Sequence, residues 1–139
     1  MTTVREAMLT DPRVLRATAT AQEAGEMLVR PEVVSVLVVD EDERLVGHVT
    51  PAALVERVVA AGRDPRETKL VEIAEAVSLT VEPDLALDEA YQLMEEADVE
   101  RLPVTEDGRL VGVLSRSGLQ RRLAEDEPPP ELEPDQQQV

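Results

Sequence analysis

The sequence predicts an α+β protein built from two copies of one unit, each ordered strand, helix, strand, strand, helix. The first observation behind this is a repeat. Leu45-Val46-Gly47-His48-Val49-Thr50-Pro51-Ala52-Ala53-Leu54 returns as Leu110-Val111-Gly112-Val113-Leu114-Ser115-Arg116-Ser117-Gly118-Leu119. Gly47 and Gly112 stand 65 residues apart (112 − 47), and the same offset lays Leu37-Val38-Val39-Asp40 over Leu102-Pro103-Val104-Thr105. Earlier in the chain the offset becomes 66, with Glu23-Ala24 over Glu89-Ala90 and Met27-Leu28 over Leu93-Met94. The second observation is that, in each copy, an apolar strand-like run stops at a hydroxyl residue and a helix follows. The third is size: a unit of about 60 residues buries too little surface to be comfortable alone, so the two copies are expected to pack sheet to sheet around shared cores.

Each element has a local reason. Thr3-Val4-Arg5-Glu6 has capping-box spacing and starts a short helix ending near Met8, before Asp11-Pro12 breaks the chain. Arg13 to Arg16 is a short extended piece. Thr20-Ala21-Gln22-Glu23 is a second capping box, and the helix after it places Ala21, Ala24, Gly25 and Leu28 on one face until Pro31 closes it. Val33 to Val39 is rich in β-branched residues and reads as a buried strand. A solvated turn over Asp40 to Arg44 leads into the return strand Leu45 to Val49. Pro51 to Ala61 is a helix expected to turn Leu54, Val55, Val58 and Val59 inward, with Gly62 as its stop. Residues 62–68 carry Gly, Pro and charges without periodicity and read as a linker between a first domain, 1–61, and a second, 69–124.

The second copy repeats the order. Leu70 to Glu75 matches the first short helix and Val77 to Val81 the first extended piece. Leu87, Ala90, Tyr91 and Met94 form a helical apolar stripe. Val99 to Thr105 is a strand, Asp107-Gly108 a hairpin turn, Leu110 to Leu114 the return strand, and Arg116 to Ala124 the closing helix. Residues 125–139, with Pro128-Pro129-Pro130, six acids and Gln136-Gln137-Gln138, read as a disordered tail.

Composition narrows the function. Of 139 residues 42% are hydrophobic, which supports a core, but aromatics are 1% and Tyr91 is the only one, so that core is Val, Leu, Ala and Met. The net charge is −16; the last fifteen residues hold six acids and no base, leaving −16 + 6 = −10 on residues 1–124. Such a surface repels nucleic acid and anionic membranes as bulk partners. There is no cysteine, hence no disulfide framework and no thiol chemistry. No apolar run reaches the ~18 residues of a membrane span, and no signal peptide opens the chain, so a cytoplasmic protein is expected.

The candidate chemistry is one of binding. Thr50 and Ser115 are helix N-caps, with Pro51 and Arg116 at the first helical positions. A strand running straight into a helix N-terminus leaves free N–H groups and a positive dipole end at one spot, which suits an anion. Arg116 is a candidate phosphate partner, set against a solvated arginine. Arg101, just before Leu102-Pro103, is a candidate cleft residue, set against an ion pair with Glu100. His48, the one histidine, has no Cys, Ser or Asp placed to partner it in catalysis, and no enzymatic activity is expected. The acids Asp40 to Glu43 lack the spacing and central Gly of an EF-hand and read as a solvated turn.

With both copies in register, residues 3–124 resemble a tandem pair of CBS domains, a Bateman module, with no second domain attached. The resemblance rests on Leu45 to Thr50, Leu110 to Ser115, Leu102-Pro103-Val104, and Glu89-Ala90 with Leu93-Met94. It implies one pseudo-symmetric module, a disc-like homodimer, and clefts between the domains for an adenosine-containing ligand such as AMP, ADP, ATP or S-adenosylmethionine. It further implies that Thr50 and Ser115 face the phosphate end. The family pattern, Gly, two apolar residues, Thr or Ser, two variable residues, then Asp, puts a ribose-binding Asp where this chain has Ala53 and Gly118. One such hydrogen bond contributes about 1.5–3 kcal/mol, so weak nucleotide binding is expected. Two readings follow: a regulatory module sensing an adenine nucleotide through Thr50, Ser115, Arg116 and Arg101, or a scaffold that has lost its ligand and serves in dimerisation or docking to a protein partner.

Overall fold

The computed structural model of the chain describes residues 2–126. In the first half, β1 (Val14–Arg16) runs parallel to β2 (Val36–Val39), which is antiparallel to β3 (Leu45–Val49). In the second half, β4 (Arg101–Glu106) pairs antiparallel with β5 (Arg109–Ser115). The helices are α1 (Val4–Ala7), α2 (Ala21–Leu28), α3 (Pro51–Leu54), α4 (Leu70–Ile73), α5 (Leu87–Ala97) and α6 (Arg116–Asp126); α3 continues as a π-helical turn over Val55–Val59. None is long and apolar enough to cross a membrane. Glu125 and Asp126, the first two residues of the predicted tail, belong instead to α6, and the rest of that tail lies outside the described residues.

The capping box before α2 forms as spelled: Thr20 Oγ1 accepts the Glu23 N–H at 3.2 Å and the Glu23 carboxylate accepts the Thr20 N–H at 2.9 Å. The Asp107-Gly108 turn also forms, with φ of 55° and 81°, the left-handed pair that a tight hairpin requires. Other expectations are corrected. β2 begins at Val36 rather than Val33, and β4 at Arg101 rather than Val99, because the preceding residues border a cleft instead of a strand. The extended piece at Val77 to Val81 is reduced to a bridge between Val81 and Val104. Its neighbour is Pro103, which stands where β2 has Leu37 and has no N–H to extend the ladder.

The repeat register also differs by one residue from the simple reading. Val38 lies opposite Gly47 and Val104 opposite Gly112, so the strands match at 66 (104 − 38), not 65. The extra residue sits in the hairpins: Asp40 to Arg44 separate the pair Val39 and Leu45, whereas Glu106 to Arg109 separate Thr105 and Leu110. Asp40 stabilises the longer turn, its carboxylate accepting the Asp42 and Arg44 N–H groups at 2.8 and 3.0 Å.

Two cores form, and each borrows a helix from the other repeat. Leu70 and Ile73 of α4 pack with Ala21, Ala24, Val38, Val49 and Val58 of the first half. Val4 of α1 packs with Leu87, Ala90, Met94, Leu102, Val104, Leu114 and Leu119 of the second. The backbone exchange is two-fold symmetric. Thr20 bridges Lys69 as Thr3 bridges Ala86, and His48 bridges Glu75 as Leu9 bridges Val113. This explains the repeated glycine. A Cβ on Gly47 would collide with the Glu75 carbonyl, and one on Gly112 would stand 2.8 Å from the Leu9 carbonyl oxygen. Residues 62–68 are part of the same exchange: Thr68 is buried, and Pro65 and Thr68 accept the Gln22 and Ala21 N–H groups at 3.0 and 2.8 Å.

The helix after Thr50 is corrected as well. Leu54 is half-buried and Val58 buried, but Val55 and Val59 are 60% and 72% exposed. Leu54 and Val58 take the inner side of this helix and its π-helical turn, and Val55 and Val59, one position further on in each case, fall on the outer side.

Candidate functional site

A cleft of about 390 Å³ lies on the seam between the halves. It is lined by the same positions taken twice. At offset 66, Asp11 matches Val77, Arg13 matches Leu79, Val33 matches Val99, Ser35 matches Arg101 and Leu37 matches Pro103, and at offset 65 His48 matches Val113. The backbone places them there because residues 9–13 and 75–79 cross between halves immediately after bridging β5 and β3. The matched positions differ in chemistry. The first half supplies Asp11, Arg13, Glu32, Ser35 and His48; the second supplies Val77, Leu79, Val99, Pro103 and Val113, with Arg101 and Ser78 as its polar members. The first half also supplies Leu9, Pro12, Val33 and Leu37, so its side of the cleft is mixed and the other is mostly apolar.

Arg101 lines this cleft, and it does not pair with Glu100. Neither it nor Arg13 has a side-chain hydrogen bond or ion pair with another described residue. Glu100 instead pairs with Arg116 at 3.3 Å, and Asp98 with Arg116 at 3.5 Å. The Arg116 N–H donates to the Glu100 carbonyl at 2.8 Å. Burial works against the charge of the Arg116 guanidinium, which is 22% exposed, but the Glu100 and Asp98 carboxylates outweigh it and hold its pKa above the ordinary value. Arg116 is thus occupied by two carboxylates and is not among the residues lining the cleft.

Thr50 and Ser115 both cap helices. Thr50 Oγ1 accepts the Ala53 N–H at 3.1 Å and Ser115 Oγ accepts the Gly118 N–H at 3.1 Å. Ser115 is the strand partner of Arg101, which brings these two together at the end of β5; Thr50 belongs to the other half. Ala53 is 1% exposed. Among the described residues, no group of three or more His, Cys, Asp or Glu side chains could hold a metal ion.

Sequence reasoning missed Arg13, Ser35 and the cleft side of His48. The signal was present in the repeat: extending the offset of 66 back to residues 11–13 and 33–37 pairs them with the stretch around Arg101.

The CBS domain family model matches residues 4–60 and 70–125. Hypoxic response protein 1 from Mycobacterium tuberculosis is 29% identical over 125 residues, covering 90% of this chain and 87% of the relative. The crystal structure of Hypoxic Response Protein I with two coordinated zinc ions superposes with a TM-score of 0.73 at 28% identity, covering 86% of this chain and 98% of that one. MK0525 from Methanopyrus kandleri is 33% identical over 99 residues, 70% of this chain, and the match spans half the relative's length. The crystal structure of CBSX2 in complex with AMP gives a TM-score of 0.74 at 25% identity, covering 89% of this chain and 97% of that one. The chain belongs to the CBS domain family and carries two CBS domains in tandem.

Proposed function

We propose that this chain is a regulatory module that senses an adenine nucleotide in the cleft between its two CBS domains. The observation that carries the reading is that this cleft combines aliphatic residues with two arginines. Val77, Leu79, Val99 and Pro103 offer aliphatic faces to a base, while the guanidinium groups of Arg13 and Arg101 have no side-chain partner among the described residues. A planar apolar group joined to an anion fits those two features together. CBSX2, which resembles this chain in fold, is known in complex with AMP. Ser115, beside Arg101 at the end of β5, is the hydroxyl placed nearest that arginine in the strand register. Thr50 has the equivalent place in the first half, and Arg116 holds the carboxylates next to Arg101 in position. The output is a population shift: ligand bound across the seam favours one relative placement of the halves, and the reading includes a disc-like homodimer as the unit that transmits it.

Calorimetry with AMP, ADP, ATP and S-adenosylmethionine tests this. Arg101→Ala and Arg13→Ala should each weaken nucleotide binding by roughly 10-fold to 150-fold, the equivalent of about 1.5–3 kcal/mol for a charge-assisted bond. Arg116→Ala should weaken it less. Binding of comparable strength in the Arg13 and Arg101 variants would place the ligand elsewhere.

A second reading has its own observation. Ala53 and Gly118 hold no carboxylate, and Ala53 is packed away at 1% exposure. The module is then a scaffold for dimerisation or for a protein partner, and no nucleotide would bind at millimolar concentration.

A further inference from the structure

The helix after Thr50 and α6 are matching elements of the repeat, and each sends an arginine to the helix it receives from the other half. The two arginines, Arg57 and Arg122, match at offset 65. Arg122 pairs with Glu6 of α1 at 4.0 Å. Arg57 lands further along the segment it receives. Its Nη1 donates to the Ile73 carbonyl, at the end of α4, at 3.0 Å, and its Nη2 pairs with the Glu75 carboxylate at 3.6 Å. At offset 66, Glu6 matches Glu72 and Leu9 matches Glu75, so the other half has no carboxylate at the position Arg57 reaches. The helices differ at the same place. Arg57 sits in the π-helical turn Val55–Val59, where the Ala60 N–H reaches back to the Val55 carbonyl at 2.8 Å, whereas α6 is an α-helix over Arg116–Asp126. Single π turns inside helices are rare and occur mostly at functional sites.

Glu75 stands between that turn and the cleft. Its backbone exchanges two hydrogen bonds with His48, both 2.9 Å. His48 lines the cleft, and so do Val77, Ser78 and Leu79, which begin two residues after Glu75. The Glu75 carbonyl lies so close to Gly47 that a Cβ there would collide with it. A displacement of residues 75–79 therefore carries His48 along and disturbs both contacts of Arg57. A solvated ion pair alone would count for little, and both of these side chains are partly exposed. The bond to Ile73 adds to it, because the carbonyls at the end of a helix lack partners within the helix and attract a cation.

We propose that Arg57 is a positioning residue for the cleft: it fixes the side formed by residues 75–79 to the π turn, so that a ligand settling against Val77 and Leu79 is registered on the outer face of the first repeat. The inference rests on the nucleotide reading above and adds the route by which an occupied cleft is read out.

The test compares variants by calorimetry with AMP, each after a cooperative melt has shown it to be folded. Arg57→Gln is expected to weaken AMP binding about 5-fold or more, the lower end of coupling between sites. Arg57→Lys, which can still donate to the Ile73 carbonyl, should lie between it and the parent. Arg63→Gln is the control. It loosens the same helix by breaking the 2.7 Å pair with Glu72, and should leave AMP affinity at the parent's value. The chain has no cysteine, so a fluorophore on Glu56→Cys, beside Arg57 in the π turn, reports from the outer face. It should respond to AMP with Arg57 present and stay silent at saturating AMP in Arg57→Gln. Unchanged AMP affinity in Arg57→Gln, an equal loss in Arg57→Gln and Arg63→Gln, or a fluorophore silent to bound AMP with Arg57 present overturns the inference and leaves the nucleotide reading standing. No AMP binding by the parent overturns both. If Arg57→Gln does not fold, Glu75→Gln, which keeps both backbone bonds to His48, decides in its place with the same expected loss.

Discussion

The Ser115 hydroxyl accepts the Gly118 N–H at 3.1 Å and stands 2.7 Å from the point where a Cβ on Gly118 would sit. The cap and the missing side chain are therefore one local arrangement. An aspartate at 118, where the family pattern has one, brings two gains: about 0.5–1 kcal/mol from replacing a helical Gly and about 0.3–1 kcal/mol from an anion near a helix N-terminus. It also pushes Ser115 out of its capping rotamer, and a lost cap costs about 0.5–2 kcal/mol. Gly118→Asp should accordingly melt within a few degrees of the parent without ligand, and any rise on adding AMP would report binding alone. A ligand-free gain of several degrees would show that Ser115 rotates without losing its bond.

Much of this architecture was legible because it is written twice. The caps at Thr50 and Ser115 and the strand–helix order are spelled in both copies, while the Thr20 cap and the Asp107-Gly108 turn follow from local rules alone. The exchange of α1 and α4 was not legible: Val4 and Leu70 are apolar residues in short helices, and nothing local says which core receives them. The outward turn of Val55 and Val59 was missed because the adjacent pairs Leu54-Val55 and Val58-Val59 satisfy two helical faces equally. In the site, Arg101 was placed by its nearness to Leu102-Pro103. Arg116 was drawn toward a phosphate by its helix position, when Glu100 and Asp98, close by in space, hold it. Arg13 was overlooked because its stretch carries no motif of its own.

Gly47 and Gly112 should be far less tolerant than Gly25. Alanine at either seam position drives a Cβ into the backbone carbonyl of the crossing segment, Glu75 in one case and Leu9 in the other. Relief requires moving that segment and loosening paired bonds such as His48 N–H to Glu75 O and Glu75 N–H to His48 O, both 2.9 Å. Each variant should lose at least the about 1–3 kcal/mol of an overpacked interior. Gly25→Ala, with open space ahead of it, should gain about 0.5–1 kcal/mol. Chemical denaturation of the three variants gives the comparison, and equal effects at 25 and 47 would contradict the packing described.

Glu72 gives the fold a pH-dependent component. Its carboxylate accepts the Lys69 N–H at 2.7 Å and pairs with Arg63 at 2.7 Å. The backbone bond first, then Arg63, hold its pKa below the usual 4.5. A depressed folded-state pKa stabilises the fold above the unfolded value, and that contribution disappears as pH falls through the folded value. The melting temperature of the parent should exceed that of Glu72→Gln at pH 7, and the gap should close as the pH is lowered below about 4.5. A gap that widens on acidification would reverse the sign assigned here. Because the pair is solvated, high salt should narrow the gap as well.

The exchanged helices make the strongest prediction, because they decide whether either repeat is a folding unit. The first core contains Leu70 and Ile73, both fully buried, yet they follow the linker and belong to the second repeat by sequence. The second core contains Val4, also fully buried, from the first repeat. A buried Leu→Ala change costs about 2–5 kcal/mol, and a single domain's whole stability is about 5–15 kcal/mol. A peptide of residues 1–61 lacks Leu70, Ile73 and the backbone acceptors that Pro65 and Thr68 give to α2. A peptide of residues 62–126 lacks Val4 and the bonds from Val4 and Arg5 to Leu85 and Pro83, each 2.9 Å. Each alone should be largely unfolded by circular dichroism and show no cooperative melt. Mixed in equal amounts they should regain the spectrum of the intact chain, with a melting temperature that rises with concentration, since assembly is now bimolecular. In the intact chain, Leu70→Ala should open amide exchange in α2 and β3 before α5, and Val4→Ala should open α5 before α2, the reverse of what their places in the sequence suggest.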